Sequence, residues 1–183
     1  MRICEKKGQH AEGVVAFSPD GLILATGAAD DSKLKLWDAA TGGLVKALKA
    51  DVDDAVSIAF SRDGKFLAAG SSGDATVTLW DVASGKVINS FKSDQKVVSP
   101  DFNVTLSPDG RFVAAAGSDK YARLWDIAAG QEIARFASGK ENVSPSDRED
   151  ANCVAFSPNG KILAVGFGSA VMLWDVTNIV GSH

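Results

Sequence analysis

The chain of 183 residues is poor in the side chains that usually carry chemistry: 2 histidines, 2 cysteines, 2 methionines and 1 tyrosine. One histidine, His10, lies in the body of the chain and the other, His183, is its last residue. Neither a Ser-His-Asp relay nor a Cys/His metal cluster has its parts. The phosphate loop Gly-x-x-x-x-Gly-Lys-Ser/Thr, the metal motif His-Glu-x-x-His and the nucleophile turn Gly-x-Ser-x-Gly are all missing. These absences leave no catalytic residue and no metal ligand to nominate, and no cofactor is expected. Cys4 and Cys153 lie far apart, in predicted strands that would not be neighbours in one sheet. They read as free thiols of a reducing compartment. No apolar run reaches the ~18 residues of a membrane span, and Met1-Arg2-Ile3-Cys4-Glu5-Lys6-Lys7 is not a secretion signal. The expected place is the cytoplasm, with no membrane partner. Net charge is −4, with Lys and Arg scattered among Asp and Glu, so no basic block suggests a nucleic-acid surface.

What the chain has in abundance is repetition. Leu-Trp-Asp occurs four times, at Trp37, Trp80, Trp125 and Trp174, with spacings of 43, 45 and 49 residues. About twenty residues before each tryptophan stands a second landmark. The copies are Phe17-Ser18-Pro19-Asp20-Gly21, Phe60-Ser61-Arg62-Asp63-Gly64, Leu106-Ser107-Pro108-Asp109-Gly110 and Phe156-Ser157-Pro158-Asn159-Gly160. A period of this length fits propeller blades rather than helical repeats. With 45% hydrophobic and 23% charged residues, the composition is that of an ordinary globular protein. The repeats imply one continuous stack of units.

The first repeat predicts four strands: Gly13 to Phe17, Leu22 to Gly27, Lys33 to Asp38 and Leu44 to Leu48. In the Ser-Pro-Asp-Gly turn, Pro presets φ and Gly allows φ > 0. Second and third strands such as Phe66-Leu67-Ala68-Ala69 and Val77-Thr78-Leu79-Trp80 are nearly uninterrupted apolar runs, as expected of a sheet covered on both faces. The outermost strand alternates, as in Lys86 to Lys92 and Gln131 to Phe136, as expected of an edge in water. Small residues in the second strands, among them Ala25, Gly27, Gly70, Ala115 and Gly166, predict close approach of neighbouring sheets.

Taken together, Phe-Ser-Pro-Asp-Gly, Leu-Ala-x-Gly, an Asp-containing turn and Leu-Trp-Asp resemble the WD40 repeat over nearly the whole chain. The resemblance implies a non-catalytic interaction platform. It also implies a stabilising tetrad of His, Ser or Thr, Asp and Trp, which transfers only in part. The first repeat offers His10, Thr26, Asp31 and Trp37. Asp74 and Asp119 stand six residues before their tryptophans, but Gly168 replaces the fourth Asp, and no other histidine is available. Trp37, Trp80, Trp125 and Trp174 are expected first of all as packing anchors.

The expected fold is all-β, a β-propeller of four-stranded antiparallel blades with four blades per chain. The blades span about 11–49, 54–92, 101–137 and 150–175, within one unit of residues 1–180; Gly181-Ser182-His183 reads as a tag-like tail. The fourth repeat runs out after Asp175, leaving only Val176 to Val180. Residues 2–7 supply a spare strand that the resemblance assigns to closing the last blade. Rings of this kind hold 4–8 blades. The favoured assembly is an eight-bladed ring built from two copies of the chain, a homodimer closed by C₂ symmetry. A closed four-bladed monomer and a piece of a longer propeller, natural or designed, stay open.

Acidic residues precede each first strand: Glu12, Asp54, Asp101 and Asp150, two of them followed by Asn103 and Asn152. Around one mouth of a channel these would attract cations or a Lys/Arg-bearing peptide. The plainer reading, that acids favour solvated junctions, stays open. From each Trp to the next landmark the distance grows from 23 to 26 to 31 residues, through polar loops holding Lys140 and Arg148. Long loops on a rigid scaffold are frequent binding elements; disorder is the competing reading. The expected function is therefore a peptide- or protein-binding scaffold using Glu12, Asp54, Asp101, Asn103, Asp150, Asn152, Lys140 and Arg148. The alternatives are a carbohydrate-binding propeller, for which Tyr121, Phe102 and Phe167 are the aromatics without an obvious core position, or a propeller piece with no evolved partner.

Overall fold

The computed structural model describes residues 13–28, 31–49, 55–71, 75–92, 102–117, 120–139 and 150–180. The closing strand expected over residues 2–7, together with Cys4, His10 and the tail, lies outside them. Four separate antiparallel sheets form in chain order. The first holds β1 (Gly13–Phe17), β2 (Ile23–Ala28), β3 (Asp31–Asp38) and β4 (Leu44–Lys49). The second holds β5 (Ala55–Phe60), β6 (Phe66–Ser71), β7 (Thr76–Asp81) and β8 (Val87–Lys92). The third holds β9 (Asn103–Leu106), β10 (Phe112–Ala116), β11 (Tyr121–Asp126) and β12 (Gln131–Ala137). The fourth has three strands among the described residues, β13 (Ala151–Phe156), β14 (Ile162–Phe167) and β15 (Ala170–Asp175), followed by the short helix α1 (Thr177–Val180). The fourth repeat thus has no outer strand among the described residues, and the segment after Asp175 turns into a short helix.

Each hairpin is locked by the same chemistry. Ser18 Oγ donates to Asp20 Oδ1 and accepts the N–H of Ile23 at 2.9 Å. Ser61, Ser107 and Ser157 repeat both contacts with Asp63, Asp109 and Asn159 and with Phe66, Phe112 and Ile162. The glycine that ends the turn has φ near 72° in the first repeat, the left-handed region that side chains avoid. After each Leu-Trp-Asp a second local device follows. Asp38 Oδ1 accepts the N–H groups of Ala40 and Thr41 and the Thr41 hydroxyl. Asp81 and Asp126 accept the N–H of Ser84 and Ala129 in the same way.

The first strands β1, β5, β9 and β13 lie side by side, whereas the outer strands β4, β8 and β12 stand apart, so the sheets fan from a shared inner edge. Three dry cores fill the gaps. Between sheets one and two lie Leu34, Leu36, Leu48, Leu67 and Trp80. Between two and three lie Val77, Leu79, Phe91, Val104 and Trp125, and between three and four Leu124, Phe136, Val154, Leu163 and Phe167. The ring of Phe91 sits 5.8 Å from that of Trp125, and Phe136 lies 5.3 Å from Trp174. Trp80, Trp125 and Trp174 therefore each anchor their sheet on the sheet before it. The close approach that small residues predicted is seen at Gly70, where an added Cβ would stand 2.5 Å from Phe102. The sheets do not close into a ring. The first and fourth each keep one uncovered face, and the continuous burial expected of third strands fails at β15, where Val171 and Leu173 are exposed.

Candidate functional site

The hairpins give the fan two ends. At one, the first strands begin; at the other, they pass into their Ser-Pro-Asp-Gly turns. Of the binding residues expected at the first end, Asn103 opens β9 opposite Ala116 and is half-buried. Asp150, also half-buried, immediately precedes β13, and its carbonyl accepts the N–H of Gly168 at 3.4 Å. Asn152 is exposed within a bulge of β13 between Ala151 and Cys153. Gly166 stands opposite the bulge, where an added Cβ would press on Cys153 Sγ at 2.5 Å and Asn152 Oδ1 at 2.8 Å. Because β9 and β13 are neighbours, Asn103, Asp150 and Asn152 stand on adjoining inner strands at one rim. Glu12, Asp54, Asp101, Lys140 and Arg148 lie outside the described residues.

The structural residues divide similarly. Trp37 Nε1 donates to Thr26 Oγ1 at 3.0 Å across β2 and β3. Asp31 opens β3 and pairs with Ala28 through the backbone. His10, Asp74 and Asp119 lie outside the described residues. Trp80 and Trp125 are buried, while Trp174 and Trp37 are only half-buried.

The other end holds a feature the sequence reading passed over. The turns of the second, third and fourth sheets border an open pocket of about 470 Å³ whose lining includes Arg62, Pro108, Asp109, Pro158, Asn159 and Lys161. Arg62 reaches past the third sheet and donates from Nη1 to the carbonyl of Pro158 at 3.3 Å. A signal for it was present: Arg62 stands where the other three turns have proline. The Ser61 hydroxyl and the backbone N–H of Lys65 hold the Asp63 carboxyl below the usual carboxylate range. The turn carboxylates are thus committed as structural acceptors.

Two of the three aromatics set aside for a carbohydrate site are core residues: Phe102 is 3% exposed and Phe167 2%. Tyr121 is partly exposed, with the guanidinium groups of Arg123 and Arg135 over its ring at 5.8 and 5.7 Å. Cys153 is an exposed free thiol. Among the described residues no group of three or more His, Cys, Asp or Glu is placed to hold a metal ion. No described helix is long and apolar enough to cross a membrane.

Antiparallel sheets fanned about shared inner strands, the second to fourth each anchored by a tryptophan on its predecessor, define a β-propeller type of repeat protein. The family model for the WD domain, G-beta repeat, matches residues 8–38, 42–81, 85–126 and 144–175, and the chain belongs to the WD40 repeat family. Its fold is similar to that of the β-propeller domain of Cps50 (Swd1) from Myceliophteria thermophila, with a TM-score of 0.76 at 23% identity. The match covers 94% of this chain and 54% of the other, so the chain spans about half the length of that domain. A search of curated proteins finds no match.

Proposed function

We propose that the chain is a non-catalytic scaffold that binds a basic peptide or protein segment across the rim where its first strands begin. WD40 propellers typically serve as protein-interaction scaffolds, and the carrying observation is the placement of Asn103, Asp150 and Asn152 on adjoining inner strands at one rim. A carboxylate flanked by amides on a rigid sheet edge offers acceptors to Lys and Arg side chains without prior ordering. The acidic residues ahead of the other first strands, Glu12, Asp54 and Asp101, extend the same charge by sequence position.

The test is isothermal titration calorimetry with a Lys/Arg-rich peptide and an acidic peptide of equal length. Heat is expected with the basic peptide only, weakening as salt rises. Asp101→Asn combined with Asp150→Asn removes that heat and leaves the thermal unfolding curve unchanged. Binding that survives both substitutions disproves the assignment of the rim.

A further inference from the structure

Four of the most exposed apolar residues, Val171, Leu173, Val15 and Phe17, lie on the two outward faces of the fan, and the faces differ in kind. On the first sheet, Val15 and Phe17 of β1 pair across β2 with Thr26 and Leu24, and these in turn with Lys35 and Trp37 of β3. This is the tryptophan-bearing face, and Val15 is 67% exposed and Phe17 62%. On the fourth sheet, Ala155 of β13 pairs with Ala164, and Ala164 with Leu173 of β15; Cys153 and Gly166 lead similarly to Val171. This is the opposite, leucine-bearing face, and Val171 is 70% exposed and Leu173 69%.

Inside the fan, a tryptophan-bearing face always meets a leucine-bearing face. Trp80, Ile58 and Phe60 of the second sheet share a core with Leu34 and Leu36 of the first. Trp125, Val104 and Leu106 of the third share one with Val77 and Leu79 of the second. Trp174, Val154 and Phe156 of the fourth share one with Ala122 and Leu124 of the third. At the positions of Leu173 and Val171, the earlier repeats place Leu36, Leu79 and Leu124, and Leu34, Val77 and Ala122, all at 0–2% exposure. The four described sheets thus leave one exposed face of each complementary kind.

We infer that the tryptophan-bearing face of the first sheet docks on the leucine-bearing face of the fourth sheet of a second copy, and reciprocally, so that two copies form one ring of eight sheets. The occupant is a second copy because each chain carries both halves of an interface that it already builds three times internally. The contact continues the internal stacking, with Phe17 and Val15 of one copy in the places of Phe60 and Ile58, over Leu173 and Val171 of the other in the places of Leu36 and Leu34. Such a contact is heterologous, yet two of them close a two-fold ring, and eight sheets fall within the 4–8 known for propellers. Closure also covers apolar surface that a soluble monomer rarely leaves bare. The inference does not rest on the rim proposed for peptide binding.

The experiment is light scattering on the full chain over a concentration series. The expected mass is twice the 19.0 kDa of the chain, constant on dilution. Leu173→Lys and Phe17→Glu each place an unpaired charge in both contacts of a homodimer, and each is expected to halve the mass while circular dichroism is unchanged. Val171→Lys replaces Leu173→Lys if that variant fails to fold. An equimolar mixture of the two variants is the decisive arm. A mixed ring has one native contact and one in which the new lysine faces the new glutamate, so the doubled mass is expected to return. A folded monomer at all concentrations, a mass that grows without limit, variants that keep the doubled mass, or a mixture that stays monomeric each overturns the inference.

Discussion

Leu79 and Leu173 occupy the same place in the same Leu-Trp-Asp sequence, one 0% and the other 69% exposed. Trp80 and Trp37 make the same contrast, the first fully buried and the second only half-buried on an outward face. The difference lies in the neighbours. A sheet in the middle of the fan is covered on both sides, and one at either end on one side only. In a stacked repeat protein, stability is the sum of what each unit contributes and what each junction contributes. The pair separates the two terms. Leu79→Ala is expected to lower the unfolding free energy by about 3–4 kcal/mol, from lost burial and the cavity left behind. Leu173→Ala is expected to cost the isolated chain about 0.5 kcal/mol or less and to act instead on the assembly mass. Urea unfolding of both variants in the Phe17→Glu background, which keeps the copies apart, makes the comparison. Equal losses would mean that the end face is covered within the single chain.

A second contrast lies two residues before the tryptophan. In the fourth sheet this place holds Met172, packed against the core. In the third it holds Arg123, whose side chain is 3% exposed and whose Nε lies 3.5 Å from Glu132 Oε2. Glu132 also accepts from Arg135 Nε at 2.7 Å. A covered sheet can hold a charge only if a counter-charge comes with it. Glu132→Ala is expected to cost about 2 kcal/mol, below the range for wholly buried pairs because Glu132 is partly exposed. Adding Arg123→Met, which copies the fourth sheet, is expected to recover most of that loss in thermal unfolding. No recovery would show that the guanidinium contributes by packing rather than by its pairing.

Much of this was legible in the sequence because it is local. The Ser18–Asp20 turn, its three copies and the strands beside them follow from residues within a few positions of one another. The end of the repeat after Asp175 was legible for the same reason. Burial at β15 was not, because Ala170-Val171-Met172-Leu173 reads like any covered third strand and only the absence of a next sheet among the described residues exposes it. The role of the aspartate in Leu-Trp-Asp was missed although Asp38-Ala39-Ala40-Thr41-Gly42 spells a side-chain-capped turn. Phe102 and Phe167 looked uncommitted because each stands at a strand margin, where nothing in the local pattern announces an adjoining sheet. At the proposed rim, Asn103 meets Asp150 and Asn152 through the stacking of consecutive sheets, which the repeat implied but no local residue pattern spells out.

The smallest effect expected is one in which the middle and the end of the fan should not differ. Asp38 in the first sheet and Asp81 in the second are both held below the ordinary carboxylate range, by the side chains of Thr41 and Ser84 first and by the backbone N–H of the same residues next. Asp20, Asp63 and Asp175 are lowered by the same kind of turn. A carboxylate whose pKa is lower folded than unfolded binds fewer protons in the native state. Its contribution is therefore complete above the unfolded value of 3.8 and is lost as pH falls through the lower folded value. The melting temperature is expected to fall on acidification below about pH 4, with no corresponding change between about pH 5 and 7 from these groups. Asn keeps an acceptor oxygen but does not titrate, so Asp38→Asn and Asp81→Asn should each flatten the acid limb slightly. Both turns are closed chiefly by their own residues, and the Lys46 ammonium of the first sheet adds only a minor lowering at Asp81, so the flattening should nearly match in the end sheet and in the covered one. A several-fold larger change for Asp81→Asn would mean that the neighbouring sheet, through Lys46, outweighs the turn's own residues in setting its charge state.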